Sequence, residues 1–397
     1  MDGIGRRDRA KRLRLYCLER AERFPGRGDG DEEAEVKIDR IETFTKGYLC
    51  IVRVTADNGA EGYGQVAPYN ADISELVLRR QVCPHFLGAD PKDVDMLAEQ
   101  CVEREYKFPG SYVCRALAGV ETALWDLLGK AQGLSVCELI GGSPKPIAVY
   151  GSSMRRDIKP EDEAERLAEL KRTKGYTAFK VRVGKVCGHD EDEWPGRTEA
   201  LIRGARKAVG EETMLLADGN SCYTPPKAIA VGRMLEGQDF CHFEEPCPYW
   251  ELEWTAEVAN ALSIPVAGGE QDTDIAQFKR MIAMGAVDVV QPDICYIGGL
   301  ARSLKVASAA AKAGKPCVPH SANRSLVTVF TLHMMAAIPN AGPYLEFSIE
   351  PDSWTDGLFS PSLEVRGGRV DVPAGPGWGV TMNPDWITSA AYWTSRK

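Results

Sequence analysis

Three acidic residues stand at even intervals in this 397-residue chain: Asp218, Glu244 and Glu270, spaced 26 residues apart. Each closes a short apolar run, in TMLLADGN, DFCHFEEP and IPVAGGE. If those runs are neighbouring parallel strands, the three carboxylates meet at one end of the sheet. Carboxylates grouped in this way repel one another unless a cation neutralises them. An all-oxygen set that leaves room for substrate oxygens suits Mg2+. The competing reading is that acidic residues end strands to cap the helices that follow.

Other chemically capable residues sit at equivalent points. Lys180 and Arg182, in FKVRVG, alternate with period two and so point the same way, into a closed sheet and across the mouth from the carboxylates. A surface pair is the alternative, but two buried cations require an anionic partner. His320 in CVPHS and Asp293 in QPDICYIGG end adjacent runs. That placement permits a hydrogen bond that orients the imidazole and stabilises its charged form. Glu346, in YLEFS, ends the last run. His242 lies one layer deeper than Glu244 and reads as a satisfied core histidine. His85, His189 and His333 read as loop, acidic-insertion and helix-face residues. No GxGxxG follows a strand and no Walker sequence is present, so nucleotide binding lacks support. Gly298-Gly299 opens a helix, where it serves either an anion or a tight turn.

These residues need elements to position them. After Pro146, apolar strands alternate with amphipathic helices at 161–174, 197–209, 225–236, 251–261, 274–284, 299–313 and 325–336. Such alternation implies a parallel sheet, and eight even strands close into a barrel more naturally than they fan into an open one. In a barrel the C-terminal strand ends form the functional mouth. Residues 36–142 differ. Three strand-like segments (VKIDRIETF, YLCIVRVTA and EGYGQVA, with a turn at Asp57-Asn58-Gly59) precede helices near 72–84, 91–105 and 111–132, an α+β module. The fold class is thus α/β: a barrel over 146–350, an α+β module, and a segment 351–397 that returns to that module. Residues 1–35 carry nine Lys/Arg against five Asp/Glu in their first 30 and read as a mobile basic extension.

Composition bounds the rest. With 44% apolar and 26% charged residues the chain is globular rather than disordered. No uncharged apolar run approaches the ~18 residues of a membrane span, which implies a soluble protein. Net charge is −9, and beyond the first 30 residues 39 basic side chains face 52 acidic ones. An acidic body argues against nucleic acid as the main partner. Twelve cysteines show no CxxC spacing and no apolar signal precedes them, which suggests reduced thiols in a cytoplasmic protein.

Taken together, FKVR, ADGN, FEEP, GGE, QPD and PHS resemble the motifs of the enolase superfamily, in its mandelate racemase-like group. The resemblance spans about residues 36–380. It implies a (β/α)7β TIM-type barrel with a capping domain whose loops select the substrate. It further implies that Asp218, Glu244 and Glu270 bind one Mg2+, which holds a substrate carboxylate and stabilises the enediolate formed on loss of the α-proton. By the same resemblance His320, paired with Asp293, is the general acid/base, Glu346 bonds the carboxylate or enediolate oxygen opposite the metal, and Asn220 contacts substrate hydroxyls. Asp293 itself argues against the muconate-cycloisomerase-like group, which has Lys there.

One departure matters. The group's usual strand motif is Lys-x-Lys, whose second Lys is a base on the face opposite the histidine; here that position is Arg182. Arginine stays protonated, so it is a poor base and a good anion fork. Racemisation needs bases on both faces, whereas dehydration proceeds with one. The expected activity is therefore that of an acid-sugar dehydratase, a hydro-lyase that forms a 2-keto-3-deoxy acid, with Lys180 polarising the carboxylate. A racemase, epimerase or cycloisomerase is the alternative, and a non-catalytic binding barrel is a third reading. Cap loops at 43–48 and 64–70 are placed to choose the substrate, with Tyr69 and Asn70 as candidate hydroxyl contacts. Family members are commonly dimers or octamers, so a homo-oligomer is expected.

Overall fold

The computed structural model describes residues 36–108, 110–351 and 353–396; the basic extension 1–35 lies outside them. Strands β1 (Ile38–Lys46), β2 (Leu49–Ala56) and β3 (Glu61–Gln65) form an antiparallel meander. The last strand of the chain, Ala391–Arg396, adds to the outer edge of β1. One face of the sheet buries Ile41, Val52 and Val54 beneath the 22-residue helix Ser111–Gln132. Alternation in EGYGQ puts Gly62 and Gly64 on that face. Any side chain there would collide with the helix backbone at Gly119, Ala123 and Leu127, so the two glycines set how closely the helix can lie.

Beyond Pro146 the chain forms parallel strands β4 (Pro146–Ser152), β5 (Ala178–Arg182), β6 (Met214–Asp218), β7 (Phe240–Glu244), β8 (Val266–Gly268), β9 (Val289–Val290) and β10 (Leu345–Ser348). Their spatial order is β10-β4-β5-β6-β7-β8-β9. The seventh barrel strand, expected in CVPHS, is only a bridge: Cys317 pairs with Val290 on one side and Ala341 on the other. Pro316 and Pro319 flank it and offer no N–H, which limits the ladder to that point. Single bonds such as Val318 N to Val290 O (2.9 Å) and Gly342 N to Cys317 O (3.1 Å) carry the closure. Seven long helices intervene, Pro160–Lys174, Arg197–Val209, Pro225–Glu236, Leu252–Ala261, Ile275–Met284, Leu300–Lys312 and Leu326–Ala337, with a single-turn helix Ile294–Ile297 before the sixth. The fold is a TIM-type barrel with a capping domain.

Inward-facing Tyr150, Ala178, Leu216 and Val318 fill the barrel below the mouth, as period two along the strands requires. The cap is fastened to the barrel through buried polar contacts. At Gly298-Gly299 the anion turns out to be internal. Glu121, on the long cap helix, accepts Leu300 N and Ala301 N (2.8 Å each) at the start of a barrel helix. A Cβ at Gly299, whose φ is +123°, would strike that carboxylate. Burial raises the Glu121 pKa to about 7 despite those bonds. Among the described residues, every cysteine is a free thiol. No described helix is long and apolar enough to cross a membrane.

Candidate active site

The register of the barrel assembles the carboxylates. Asp218 is opposite Glu244 across β6 and β7, and Glu244 is opposite Ala267 on β8, three residues before Glu270. Asp218, Glu244 and Glu270 are all buried, and one oxygen of each lies within 4.8 Å of the others. Lys180 Nζ is fully buried among acids, 2.5 Å from Glu244 Oε1, 2.9 Å from Glu346 Oε1 and 3.6 Å from Asp218 Oδ2. Arg182 faces Asp218 in the β5–β6 register and pairs with its Oδ2. Lys180 and Arg182 point inward as their alternation requires, but they stand beside Asp218 and not across the mouth.

The charges respond to this crowding. Burial raises the Asp218 pKa against the pull of Arg182. At Glu244 burial also pushes upward, but Lys180 and His242 outweigh it and hold the carboxyl well below its usual range. Burial brings Glu270 to about 7, with His320 resisting and Glu244 and Asp218 adding repulsion. Glu270 Oε2 and the adjacent Glu245 Oε1 are buried without a hydrogen-bond partner. Orphaned hard oxygens beside two further carboxylates are what a divalent cation would satisfy, so the donor set fits Mg2+.

His320 closes the ring of acids. Its Nδ1 is 2.7 Å from Asp293 Oδ2, and its Nε2 is 3.5 Å from Glu270 Oε2 and 3.8 Å from Glu346 Oε2. Burial favours a neutral ring, but Glu270, the Asp293 bond and Glu346 raise its pKa to about 10. Any cation that neutralised Glu270 would remove the strongest of those attractions. Asp293 Oδ1 meanwhile accepts Cys295 N (2.7 Å) and Tyr296 N (3.0 Å), so the carboxylate cannot rotate freely. Glu346 is held by Ser152 Oγ (2.8 Å) and Ser321 N (3.0 Å). Burial would raise its pKa, but Lys180 and His320 keep it at about 2.

Asn220 adopts a left-handed φ of 40°, and its Oδ1 accepts from Arg156 (2.8 Å) and Arg182 (2.9 Å). That oxygen is thus engaged, which leaves the amide Nδ2 as the group for a substrate oxygen. Tyr69 and Asn70 also have positive φ and lie at the surface, 45% exposed in the case of Tyr69. Tyr69 belongs to an aromatic group with Tyr48 (5.4 Å) and Trp354 (6.0 Å), so the two cap loops meet the segment that follows β10. Asn70 Nδ2 reaches Tyr112 Oη at 3.4 Å.

Several residues escaped sequence reasoning. Glu245 is concealed by its neighbour in FEEP. Gln291 Nε2 donates to Glu244 Oε2 at 2.9 Å, and Arg156 arrives from the loop after β4. His242 is a buried, satisfied histidine as its position implied, but its partner is the cluster itself, Glu244 Oε2 at 3.0 Å. His333 is fully buried and bridges Cys137 N (3.0 Å) to Trp378 O (3.1 Å). Only the period-two position of His242 relative to Glu244 gave any signal for these.

Residues 162–386 match the family model "Enolase C-terminal domain-like", and residues 35–141 match "Mandelate racemase / muconate lactonizing enzyme, N-terminal domain". This chain is an enolase-superfamily enzyme. Its mandelate racemase-like relatives include an arabinonate dehydratase of Saccharolobus solfataricus, 28% identical over 84% of this chain and 88% of that one. A D-galactarolactone cycloisomerase of Agrobacterium fabrum is 30% identical over 90% and 93% of the two chains. Among solved structures, a protein of Roseobacter denitrificans provisionally described as a racemase has TM-score 0.89 and 55% identity, covering 91% of this enzyme and 100% of itself. An L-talarate dehydratase of Polaromonas sp. JS666, complexed with Mg and L-glucarate, has TM-score 0.80 and 25% identity, covering 91% and 99%.

Proposed function

We propose that this enolase-superfamily enzyme is a Mg2+-dependent acid-sugar dehydratase. It removes the proton α to a carboxylate and expels the β-hydroxyl, giving a 2-keto-3-deoxy acid. One observation carries this reading: at the cluster His320 has its Nδ1 fixed by Asp293 and its Nε2 turned toward the acids, whereas His242 spends its Nε2 on Glu244. Arg182 occupies the position where the group has its second base. Its guanidinium is committed to Asp218, to Asn220 Oδ1 and to the Ser153 carbonyl (3.0 Å). Lys180 is held charged by Glu244 and Glu346.

Asp218, Glu244 and Glu270 would hold the Mg2+, which supplies positive charge to the substrate carboxylate as the α-carbon loses its proton. The chain's own residues do the remainder. Asp293 fixes the Nδ1–H tautomer and so aims Nε2 outward. Nε2 takes the α-proton and returns it to the β-oxygen on the same face. The C–O bond breaks, water departs, and the enol tautomerises to the ketone. Glu346 anchors Lys180 and the backbone behind His320, and the Asn220 amide offers a donor to a substrate oxygen. Dehydratase relatives and a glucarate-bound neighbour support a sugar acid as substrate.

A second reading, racemase, epimerase or cycloisomerase, draws support from the cycloisomerase relative and the provisional racemase. Proton exchange on both faces would need a second base, which Arg182 does not supply. The test is a screen of aldonates and aldarates with Mg2+, followed by product mass. Dehydration removes one water from the substrate; a product of unchanged mass would replace the dehydratase by the isomerase.

A further inference from the structure

The segment beside the base is held from two sides. Asp293 uses one oxygen on His320 and the other on the backbone of Cys295 and Tyr296. The carboxylate that fixes the imidazole therefore also fixes Tyr296, whose ring centroid lies 5.9 Å from the imidazole centroid. Tyr296 is 7% exposed. Its ring is covered by a residue of the other domain: the Arg115 guanidinium carbon is 3.5 Å from the ring centroid. Arg115 lies on the long cap helix, and its carbonyl accepts Ala67 N at 3.2 Å, in the cap loop 64–70. Two residues earlier, the Gln65 carbonyl accepts Cys295 Sγ (3.5 Å). The Gln65 amide bonds Leu326 N (3.1 Å) and Ser325 Oγ (2.9 Å), just past His320.

We propose that Arg115 is a positioning residue for the base. By stacking on Tyr296 it holds the wall against which the His320 ring rests, so the cap orients the base as well as covering the substrate. A guanidinium plane laid on an aromatic ring is directional, and loss of that contact frees the ring to move. Small displacements of a reacting group cost rate far more than they cost binding. The inference rests on the proposed role of His320.

The test uses the full chain loaded with Mg2+ and compares Arg115→Met and Arg115→Lys with the wild type. On the best sugar acid from the screen, Arg115→Met should lower kcat by about tenfold or more while KM stays within about twofold. Arg115→Lys should recover part of the rate. A second readout needs no turnover: the imidazole NMR signals of His320, assigned through His320→Asn, should move in Arg115→Met and move less in Arg115→Lys. Unchanged kcat with unmoved imidazole signals would overturn the proposal, as would an effect confined to KM. A wild-type enzyme that turns over no sugar acid, with imidazole signals that still move, would sink the dehydratase reading and leave the role of Arg115 standing. If Arg115→Met fails to fold, Arg115→Lys serves with the same readouts, and full rate with unmoved signals there overturns the proposal.

Discussion

His320 Nδ1 and Asp293 Oδ2 lie 2.7 Å apart although 27 residues separate them in the chain. That bond leaves Nε2, 3.5 Å from Glu270 Oε2, as the ring nitrogen facing the cluster. Replacing His320 by Asn should lower kcat by roughly 10²–10⁴-fold, the range of a positioned acid/base group. The melting temperature and Mg2+ binding should survive. Steady-state kinetics with a thermal melt checks both, and retained turnover would eliminate the single-base route.

Arg182 stands where the group has its second base, and its replacement is informative. Arg182→Lys removes the fork on Asp218 and supplies an amine that can lose its proton. The expected outcome is new exchange of the α-hydrogen on the face opposite His320, read by the configuration of recovered, deuterated substrate. No new exchange would count against this reading of position 182.

The crowded carboxylates make metal binding visible as stability. Mg2+ should raise the melting temperature, since a ligand of the folded state at a hundred times its Kd contributes about 2.7 kcal/mol. Glu270→Gln, which removes one of the three donors, should abolish most of that rise. Dialysis against a chelator should abolish turnover, and Mg2+ should restore it.

Far from the mouth, His333 accepts Cys137 N at Nδ1 and donates from Nε2 to Trp378 O, a pattern that requires the neutral ring. Burial lowers its pKa from 6.5 to about 4. The unfolded chain therefore takes up this proton at higher pH than the folded one. The contribution of His333 is full above about pH 6.5 and falls as pH drops toward 4. Relative to His333→Gln, the wild type should lose up to ~3 kcal/mol between those limits. Denaturant melts of both proteins across that range check it, and a constant difference would contradict it.

Much of this was legible because the barrel converts sequence spacing into geometry. Equal intervals between Asp218, Glu244 and Glu270 translate into neighbouring strands, and alternation places Lys180 and Arg182 inward. Chain order carries angular position too, since consecutive strands of such a barrel are neighbours: β5 lies against β6, so Arg182 stands beside Asp218, and the expectation that it faces the carboxylates across the mouth neglects that order. The seventh strand shrinks to the Cys317 bridge because two prolines deny it donors. Glu245 and Gln291 sit beside more obvious residues, and Arg156 comes from a loop, so no period marks them. The contact of Arg115 with Tyr296 spans 181 positions and two domains, beyond any local pattern.

The central claim is that His320 ionises a carbon acid at this cluster only when a divalent cation is present. The direct measurement is exchange of the substrate α-hydrogen in deuterated water, with and without Mg2+, in the wild type and in His320→Asn. The account predicts exchange or turnover with deuterium incorporation in the Mg2+-loaded wild type alone. Equal incorporation by His320→Asn, or by the metal-free wild type, would contradict it.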